Sequence, residues 1–344
     1  MKRDFVSLAP GPSSPGRSTE TASEFSGSGV DDALVLAKQL GVIAPQPGAG
    51  STRELWETLA TLAAGDLGIA RTIEPHLDAI AILRQADAIN AVDNAYTSTW
   101  GVFAAEGGTA PLTAHHRDGA WQLSGTKPWC SLADRLDRAL VTAHLDNGER
   151  ALFAVELRAG GVTVEPGAWH ARGLAEIPSG PVSFHNVDAV MIGEPGWYLA
   201  RPGFAWGGIG VAACWFGGAV AIARTVFETM GDAPAPLLAA HMGSVDEQVG
   251  SARRALAEAA QLVDVAPEEE TGSILAKRTR STVASACESV ILHSGHAMGP
   301  APLALDERHA KRVADLELYV RQHHAERDLA SLGSALARSA TPPW

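Results

Sequence analysis

The residue types best suited to chemistry lie in residues 121–131. This segment reads as a β-strand with a glycine turn that delivers a large aromatic residue (Trp129), a small residue (Cys130) and a hydroxyl (Ser131). On a rigid strand the Trp129 indole can lie against a flat ring, while a backbone N–H and the Ser131 hydroxyl reach heteroatoms of that ring. The alternative interpretation is a core tryptophan followed by two small packing residues.

A second group of interest is the histidine pair His323 and His324. On a helical wheel His324 falls in an apolar stripe, which predicts an inward side chain, and His323 lies at the edge of that stripe. The stripe consists of Val313, Leu316 and Val320. An inward histidine can act as an acid or a base near neutral pH. The alternative is a core histidine bonded to a backbone carbonyl.

Metal ligands are poorly supported by the sequence. Glu74 and Asp78 are four residues apart and can share a helical face, but His76 points away from that face. The three cysteines have no CxxC spacing and no even pairing, which is typical of a reduced, cytoplasmic compartment. We therefore expect no metal site.

Composition excludes several classes of partner. The 344 residues carry a formal net charge of −12, which argues against binding nucleic acid or an anionic membrane surface. The most apolar stretch, residues 204–227, is rich in Gly and Ala and contains Arg224, so we expect a buried helix and no membrane span. A hydrophobic content of 46% is ample for a large core.

The chain that must position these residues divides into four segments. Residues 1–29 are rich in Ser, Gly, Pro and Thr without periodicity, which predicts a disordered tail. Residues 30–96 have helical periodicity and predict a short N-terminal helical domain. Residues 97–200 hold seven short segments, mostly rich in β-branched or aromatic residues, separated by turn signals, which predicts a small β-domain. Residues 201–344 predict four long helices of a bundle, so the fold class is α+β.

This order and several motifs resemble the acyl-CoA dehydrogenase superfamily over residues 33–336. Residues 123–131 are similar to its Leu-x-Gly-x-Lys-x-Trp-Ile-Thr segment, and residues 105–109 are similar to its Thr-Glu-Pro-x-x-Gly-Ser loop. Residues 173–187 resemble the stretch that closes the family's β-domain, and residues 193–204 resemble its entry into the bundle.

The resemblance implies an FAD cofactor and a set of residues that contact it. Ser131 would hydrogen-bond near flavin N5, Trp129 would lie against the ring, and Cys130 would contribute only its backbone. The loop residues Ala105 and Thr109 would line the cofactor. Gly295 lies in a segment similar to the family's Gly-Gly-x-Gly loop, which approaches the adenosine half of FAD across a dimer interface.

The sequence also departs from the family. The family's catalytic glutamate has no counterpart in residues 319–324 or near Val211, which leaves His324 or His323 as the candidate base. The family's Arg-x-x-Phe-Gly segment is replaced by residues 233–241.

Three functions therefore stay open. The first is an FAD-dependent oxidoreductase that oxidises a CH–CH bond of an acyl thioester (acyl-CoA) or a related small molecule. The second is a flavin-dependent monooxygenase served by a reductase, and the third is a catalytically silent subunit that pairs with an active homologue. The resemblance further implies a homodimer or homotetramer and a possible electron-transfer partner.

Overall fold

The computed structural model describes residues 5–107, 111–165, 167, 169–265, 269–338 and 341. Four helices come first: α1 (Arg17–Glu24), α2 (Gly29–Ile43), α3 (Thr52–Gly65) and α4 (Leu67–Gln85). A sheet follows, and the chain then returns to helices. This order confirms the α+β fold class.

The N-terminal segment is not the disordered tail that its composition predicts. Leu8 is 0% exposed, and its N–H donates to Glu57 Oε1 of α3 at 2.8 Å. The N–H of the buried Val6 donates to Thr61 Oγ1 at 3.0 Å, and the Ser18 hydroxyl of α1 bonds the Glu54 carboxylate at 2.9 Å. The prediction was wrong because the partners that order this segment lie on α3, about fifty residues further along the chain.

Helix α4 places three charged side chains on one face. Asp66 caps the helix by accepting from the N–H groups of Gly68 and Ile69. Arg71, Glu74 and Asp78 follow at spacings of three and four residues, so they line the same side of the helix. Because α4 is otherwise largely buried, these charges lie inside the protein.

Seven strands form one sheet: β1 (Trp100–Phe103), β2 (Thr113–Arg117), β3 (Ala120–Ser131), β4 (Arg138–His144), β5 (Arg150–Glu156), β6 (Val162–Val164) and β7 (Ser179–Ile192). Their order is β1-β4-β2-β3-β7-β5, with β6 on β7. A further pairing joins β5 to β4, so the sheet closes on itself. This closed sheet holds the C-terminal end of β3 rigidly beside α4.

The C-terminal helices are α5 (Trp197–Ala200), α6 (Pro202–Glu228), α7 (Pro236–Val265), α8 (Glu269–Met298), α9 (Ala301–Leu305), α10 (Glu307–Tyr319) and α11 (Glu326–Leu336). The last of the four predicted long helices is therefore interrupted after Tyr319. A 3₁₀ turn spans Val320–Gln322, and Ala325 has a φ of 45°. The break changes the direction of the side chains that follow it, His323 and His324, from the one that a continuous helical wheel assigns, whereas Val313, Leu316 and Val320 are buried as assigned.

Helix α6 is the buried centre of the helical layer. In the described part of the chain it alone is long and apolar enough to span a membrane, but most of it is buried inside the protein. A Cβ on Gly217 would lie 2.1 Å from the Ala60 carbonyl oxygen of α3, so only glycine allows this close crossing. The Gly- and Ala-rich sequence of α6 therefore reflects close helix packing.

A lysine joins the helical layer to the sheet side of the molecule. Lys311 Nζ on α10 lies 3.1 Å from the Asp66 carboxylate, 2.8 Å from that of Glu176 and 2.6 Å from that of Asp315. Asp315 also accepts from the Leu174 N–H at 2.6 Å. Among the described residues, Asp66, Glu176 and Asp315 are the one set of three acidic side chains close enough to share a metal ion. The Lys311 ammonium already neutralises part of their negative charge.

Candidate active site

The end of β3 presents Trp129 outward. The register of β3 against β7 shifts between Lys127 and Cys130, and Trp129 within this bulge has a φ of 59°. As a result the Trp129 side chain points to the surface and is 63% exposed, while Cys130 turns into the core. This excludes the core interpretation of Trp129. An exposed indole on strained backbone makes Trp129 a candidate ligand contact.

Ser131 lies at the inner end of the same bulge. Its Oγ accepts a hydrogen bond from Arg71 Nη2 at 2.9 Å and lies 2.7 Å from Ser179 Oγ. Ser179 also donates to the Ile177 carbonyl at 3.2 Å, so the Ser131 proton is directed to Ser179. The residue is buried but borders a narrow cavity between α4, β1 and the end of β3. A hydroxyl and a guanidinium therefore meet at one wall of this cavity.

Glu74 is the most perturbed carboxyl group near this cavity. Its Oε2 lies 3.9 Å from Arg71 Nη1, and 11% of the side chain is exposed. Burial raises the pKa of Glu74 from 4.5 to about 7, because the attraction of Arg71 only partly offsets desolvation, and the nearby Asp78 adds to the rise. Glu74 is thus poised to exchange a proton near neutral pH, and Arg71 connects it to Ser131.

Asp78 continues the charged face one turn further on. Burial raises the pKa of Asp78, opposed by Arg201, whose Nη2 lies 3.8 Å from its Oδ1. Arg201 is itself buried and donates to Gln85 Oε1 at 2.6 Å. The Asp78–Arg201 pair lies at the end of the polar face of α4 that is far from Ser131. Glu74 is therefore the carboxyl group next to Arg71 and Ser131.

Side chains of the bundle pack against the charged face of α4. The Arg71 guanidinium lies 5.8 Å from the ring centroid of Tyr319, and the buried Tyr319 hydroxyl has no hydrogen-bond partner. The Cys214 thiol of α6 is near this hydroxyl, and burial raises the pKa of both groups. Arg280 of α8 lies 4.8 Å from the Trp215 ring and donates to the Gly208 carbonyl at 2.6 Å. Tyr319 is 1% exposed, so its hydroxyl and the Cys214 thiol face each other inside the core.

A second charged cluster anchors the loop after β1. Glu106 accepts from Lys127 Nζ at 3.0 Å and lies 3.3 Å from Arg150 and 3.2 Å from His144. Burial alone would raise the pKa of Glu106, but hydrogen bonds from Lys127, His144 and Arg150 outweigh it and lower the pKa to about 2. The cluster fixes the start of the loop whose Ala105 is exposed. Thr109, its other predicted cofactor contact, lies outside the described residues.

Comparison with solved structures places this architecture among known folds. A butyryl-CoA dehydrogenase from Megasphaera elsdenii is 18% identical with a TM-score of 0.77, over 90% of this chain and 89% of the other. The dibenzothiophene monooxygenase TdsC from Paenibacillus sp. A11-2, solved with FMN and indole, is 17% identical with a TM-score of 0.75, over 95% and 92%. KijD3, solved with FMN and a dTDP-linked keto sugar, is 18% identical with a TM-score of 0.75, over 89% and 86%. The chain has the acyl-CoA dehydrogenase fold.

The similarity to these proteins lies in the structure and not in the sequence. No protein-family model matches the sequence, and no curated protein matches it significantly. The fold nevertheless confirms the resemblance drawn from the β3 segment, and it brings Trp129 and Ser131 to the junction of the sheet with the helices. Gly295, the remaining predicted cofactor contact, lies on α8, where the position of a Cβ has no neighbour within 4 Å.

Within this acyl-CoA dehydrogenase fold, the predicted inward orientation of His324 is wrong. The His324 side chain is 60% exposed and lies 3.5 Å from the Asp328 carboxylate. His323 is the more buried of the pair, and its Nε2 lies 3.1 Å from Ser281 Oγ. The helical wheel failed because the helix ends before these residues. Arg280 Nη2 donates to the Gln322 carbonyl at 2.9 Å and secures the break.

The sequence interpretation missed Glu74 as an acid–base group. It placed Glu74 and Asp78 on one helical face, but it searched for the missing carboxylate only in the bundle, on the pattern of the family. The signal that could have found it is the pair of acids, with Arg71 one turn earlier, on a helix that is otherwise mostly apolar. His76, between the two acids, faces the opposite side and is buried against Gly41, and this burial lowers its pKa to about 4.

Proposed function

We propose that this chain is a flavin-dependent oxidoreductase in which Glu74 exchanges a proton with the substrate. The observation that carries the proposal is the Glu74 carboxyl, with a pKa of about 7, linked through Arg71 to the Ser131 hydroxyl at the predicted ring site. A buried carboxyl with a pKa near the working pH is the type of group that enzymes use as a general acid or base.

The residues around Ser131 fit a flavin ring. The exposed Trp129 indole offers a flat apolar surface, and its backbone adopts a strained conformation to present it. Ser131 and the Arg71 guanidinium, which both border the cavity, offer hydrogen bonds to the polar edge of such a ring. Arg71 now bonds Ser131 directly, so it would have to share or give up that bond when a ring enters.

A bound flavin would supply the acceptor for a hydride or an electron pair. The chain would contribute the proton chemistry and the surroundings. Glu74 in its ionised form takes a proton from the substrate, and Arg71 stabilises the carboxylate that is needed for this step. The buried rings of Trp215 and Tyr319 keep water from this wall of the site, which strengthens the charge interactions inside it.

The first candidate reaction is oxidation of a CH–CH bond of an acyl thioester or a related small molecule. Butyryl-CoA dehydrogenase is a neighbour in fold, and Glu74 supplies the carboxylate that residues 319–324 lack. The second candidate is a monooxygenase, favoured by the neighbours TdsC and methanesulfinate monooxygenase MsuC from Pseudomonas fluorescens. A monooxygenase would draw reduced flavin from a reductase.

The cofactor can be FAD, as the sequence resemblance implies, or FMN, which is named for KijD3 and TdsC. Residues 233–241 lack the arginine that the family directs to a neighbouring subunit's FAD, which supports FMN. We retain a homodimer or homotetramer as an expectation that follows from the fold alone.

The test uses the full chain reconstituted with FAD or FMN, with bound flavin quantified by its visible absorbance. We expect one flavin per chain, and the preferred flavin identifies the cofactor. Anaerobic addition of acyl-CoA that bleaches the flavin supports the dehydrogenase. Oxygen consumption with reduced flavin and candidate small substrates supports the monooxygenase. A protein that binds neither flavin refutes the proposal and supports a silent subunit.

The role of Glu74 is tested with Glu74→Gln and a matched surface variant, Glu247→Gln, on the exposed side of α7. We expect Glu74→Gln to bind flavin normally but to lower turnover by at least about 100-fold, the usual contribution of a positioned base. Glu247→Gln should match the wild type. Wild-type turnover in Glu74→Gln would show that Glu74 is not the base.

A further inference from the structure

The antiparallel helices α7 and α8 bring three histidines together at one end of the bundle. His241 lies in the second turn of α7, and His293 and His296 lie three residues apart at the end of α8. Because the two helices run in opposite directions, the start of α7 meets the end of α8. Two turns of adjacent helices therefore carry three imidazoles on facing sides.

Two of these rings already have the spacing of metal ligands. The Nδ1 atoms of His241 and His293 are 3.1 Å apart. Two nitrogen ligands of a tetrahedral zinc ion, each at about 2.0–2.1 Å from it, are separated by about 3.3 Å. The ring centroid of His241 lies 5.3 Å from that of His293 and 5.5 Å from that of His296, and the last two centroids are 6.4 Å apart. In this conformation the ligand nitrogens of the three rings do not all lie within 4.8 Å of one another. His296 is exposed, so its ring can turn toward an ion that His241 and His293 hold.

The surroundings leave these rings available. In the described part of the chain, the hydrogen bond between His241 and His293 is the one polar contact that the three imidazoles make. This differs from the carboxylate group around Lys311, where an ammonium already provides the counter-charge. His241 and His293 are half-buried and His296 is exposed, so an ion can enter from solvent.

We propose that His241, His293 and His296 bind a divalent transition-metal ion of the zinc class. Imidazole is a favoured ligand of such ions, and three histidines leave a fourth position for water or a substrate group. The ion would join the first turns of α7 to the last turns of α8. The site lies apart from the Glu74 pocket, and its occupation does not depend on a flavin.

The proposal is tested by titrating Zn²⁺ into the untagged, chelator-treated full chain without added flavin, using isothermal titration calorimetry. We expect one Zn²⁺ per chain, and a higher unfolding temperature when Zn²⁺ is present. Co²⁺ in place of Zn²⁺ should give the visible absorption of a tetrahedral site. If the wild-type chain binds no Zn²⁺, the proposal is wrong, and the contact between His241 and His293 is only a hydrogen bond between two imidazoles.

Single variants then assign the ligands. His241→Ala, His293→Ala and His296→Ala should each weaken Zn²⁺ binding by at least about 10-fold, the loss that even an outer-shell partner causes. His185→Ala, which removes an exposed histidine of β7, is the matched control and should bind as the wild type does. His296 is exposed, so its variant keeps the fold even if the other two do not. Unchanged affinity in His296→Ala would refute the three-histidine site.

Discussion

Replacing Glu74 with glutamine should change how the stability of this protein depends on pH. The pKa of Glu74 is 4.5 in an unfolded chain and about 7 in the fold, so between these pH values the folded state holds a proton that the unfolded state has released. The free energy of unfolding therefore falls as pH rises through this window. Glutamine resembles the protonated carboxyl and has no such transition.

The size of the effect follows from the pKa difference. At about 1.4 kcal/mol per pKa unit, ionised Glu74 costs the folded state about 3 kcal/mol relative to protonated Glu74. Most of this, about 2–3 kcal/mol, develops between about pH 5 and pH 8. Glu74 is almost fully buried, so solvent screens little of it. This cost already includes the attraction between Glu74 and Arg71, because that attraction lowers the pKa from which the cost is calculated.

The assay is urea unfolding of the wild type, Glu74→Gln and Glu247→Gln at about pH 5 and about pH 8. The difference in unfolding free energy between Glu74→Gln and the wild type should shift in favour of the variant by about 2–3 kcal/mol from the lower to the higher pH. The exposed Glu247 variant should follow the wild type at both pH values. If the difference between Glu74→Gln and the wild type is the same at both, Glu74 titrates normally and the proposed base is wrong.

Two further predictions concern Trp129 and the N-terminal segment. Trp129→Gly should keep or raise the unfolding free energy by up to about 1 kcal/mol, because glycine relieves the positive φ. It should also weaken flavin binding by at least about 10-fold through lost stacking, measured by fluorescence titration. Equal affinity would show that the indole does not contact the ring. Leu8→Ala should lower the unfolding free energy by about 2–5 kcal/mol, whereas Leu305→Ala, at 86% exposure, should change it by less than about 0.5. Equal effects in urea unfolding would mean that residue 8 is not packed in solution.

Local sequence patterns were sufficient to predict most of the helices and strands. Seven strand segments are predicted in residues 97–200 and seven strands occur there, because alternation and turn residues act over a few positions. Three of the four long helices predicted in residues 201–344 form as α6, α7 and α8. The same reasoning failed at Val6, Leu8 and His324. Their environments depend on α3 and on Arg280, which are distant in sequence.

The sequence alone determined the element order, the fold class and the position of the Trp129–Ser131 segment, because each depends on periodicity or on a motif within a short window. Only the tertiary structure decided which groups are charged and where they meet. The pKa of Glu74 comes from burial between α4 and the bundle, and its link to Ser131 comes from Arg71. Desolvation and distances between remote elements have no local sequence signature, so the raised pKa of Glu74 follows only from the folded chain.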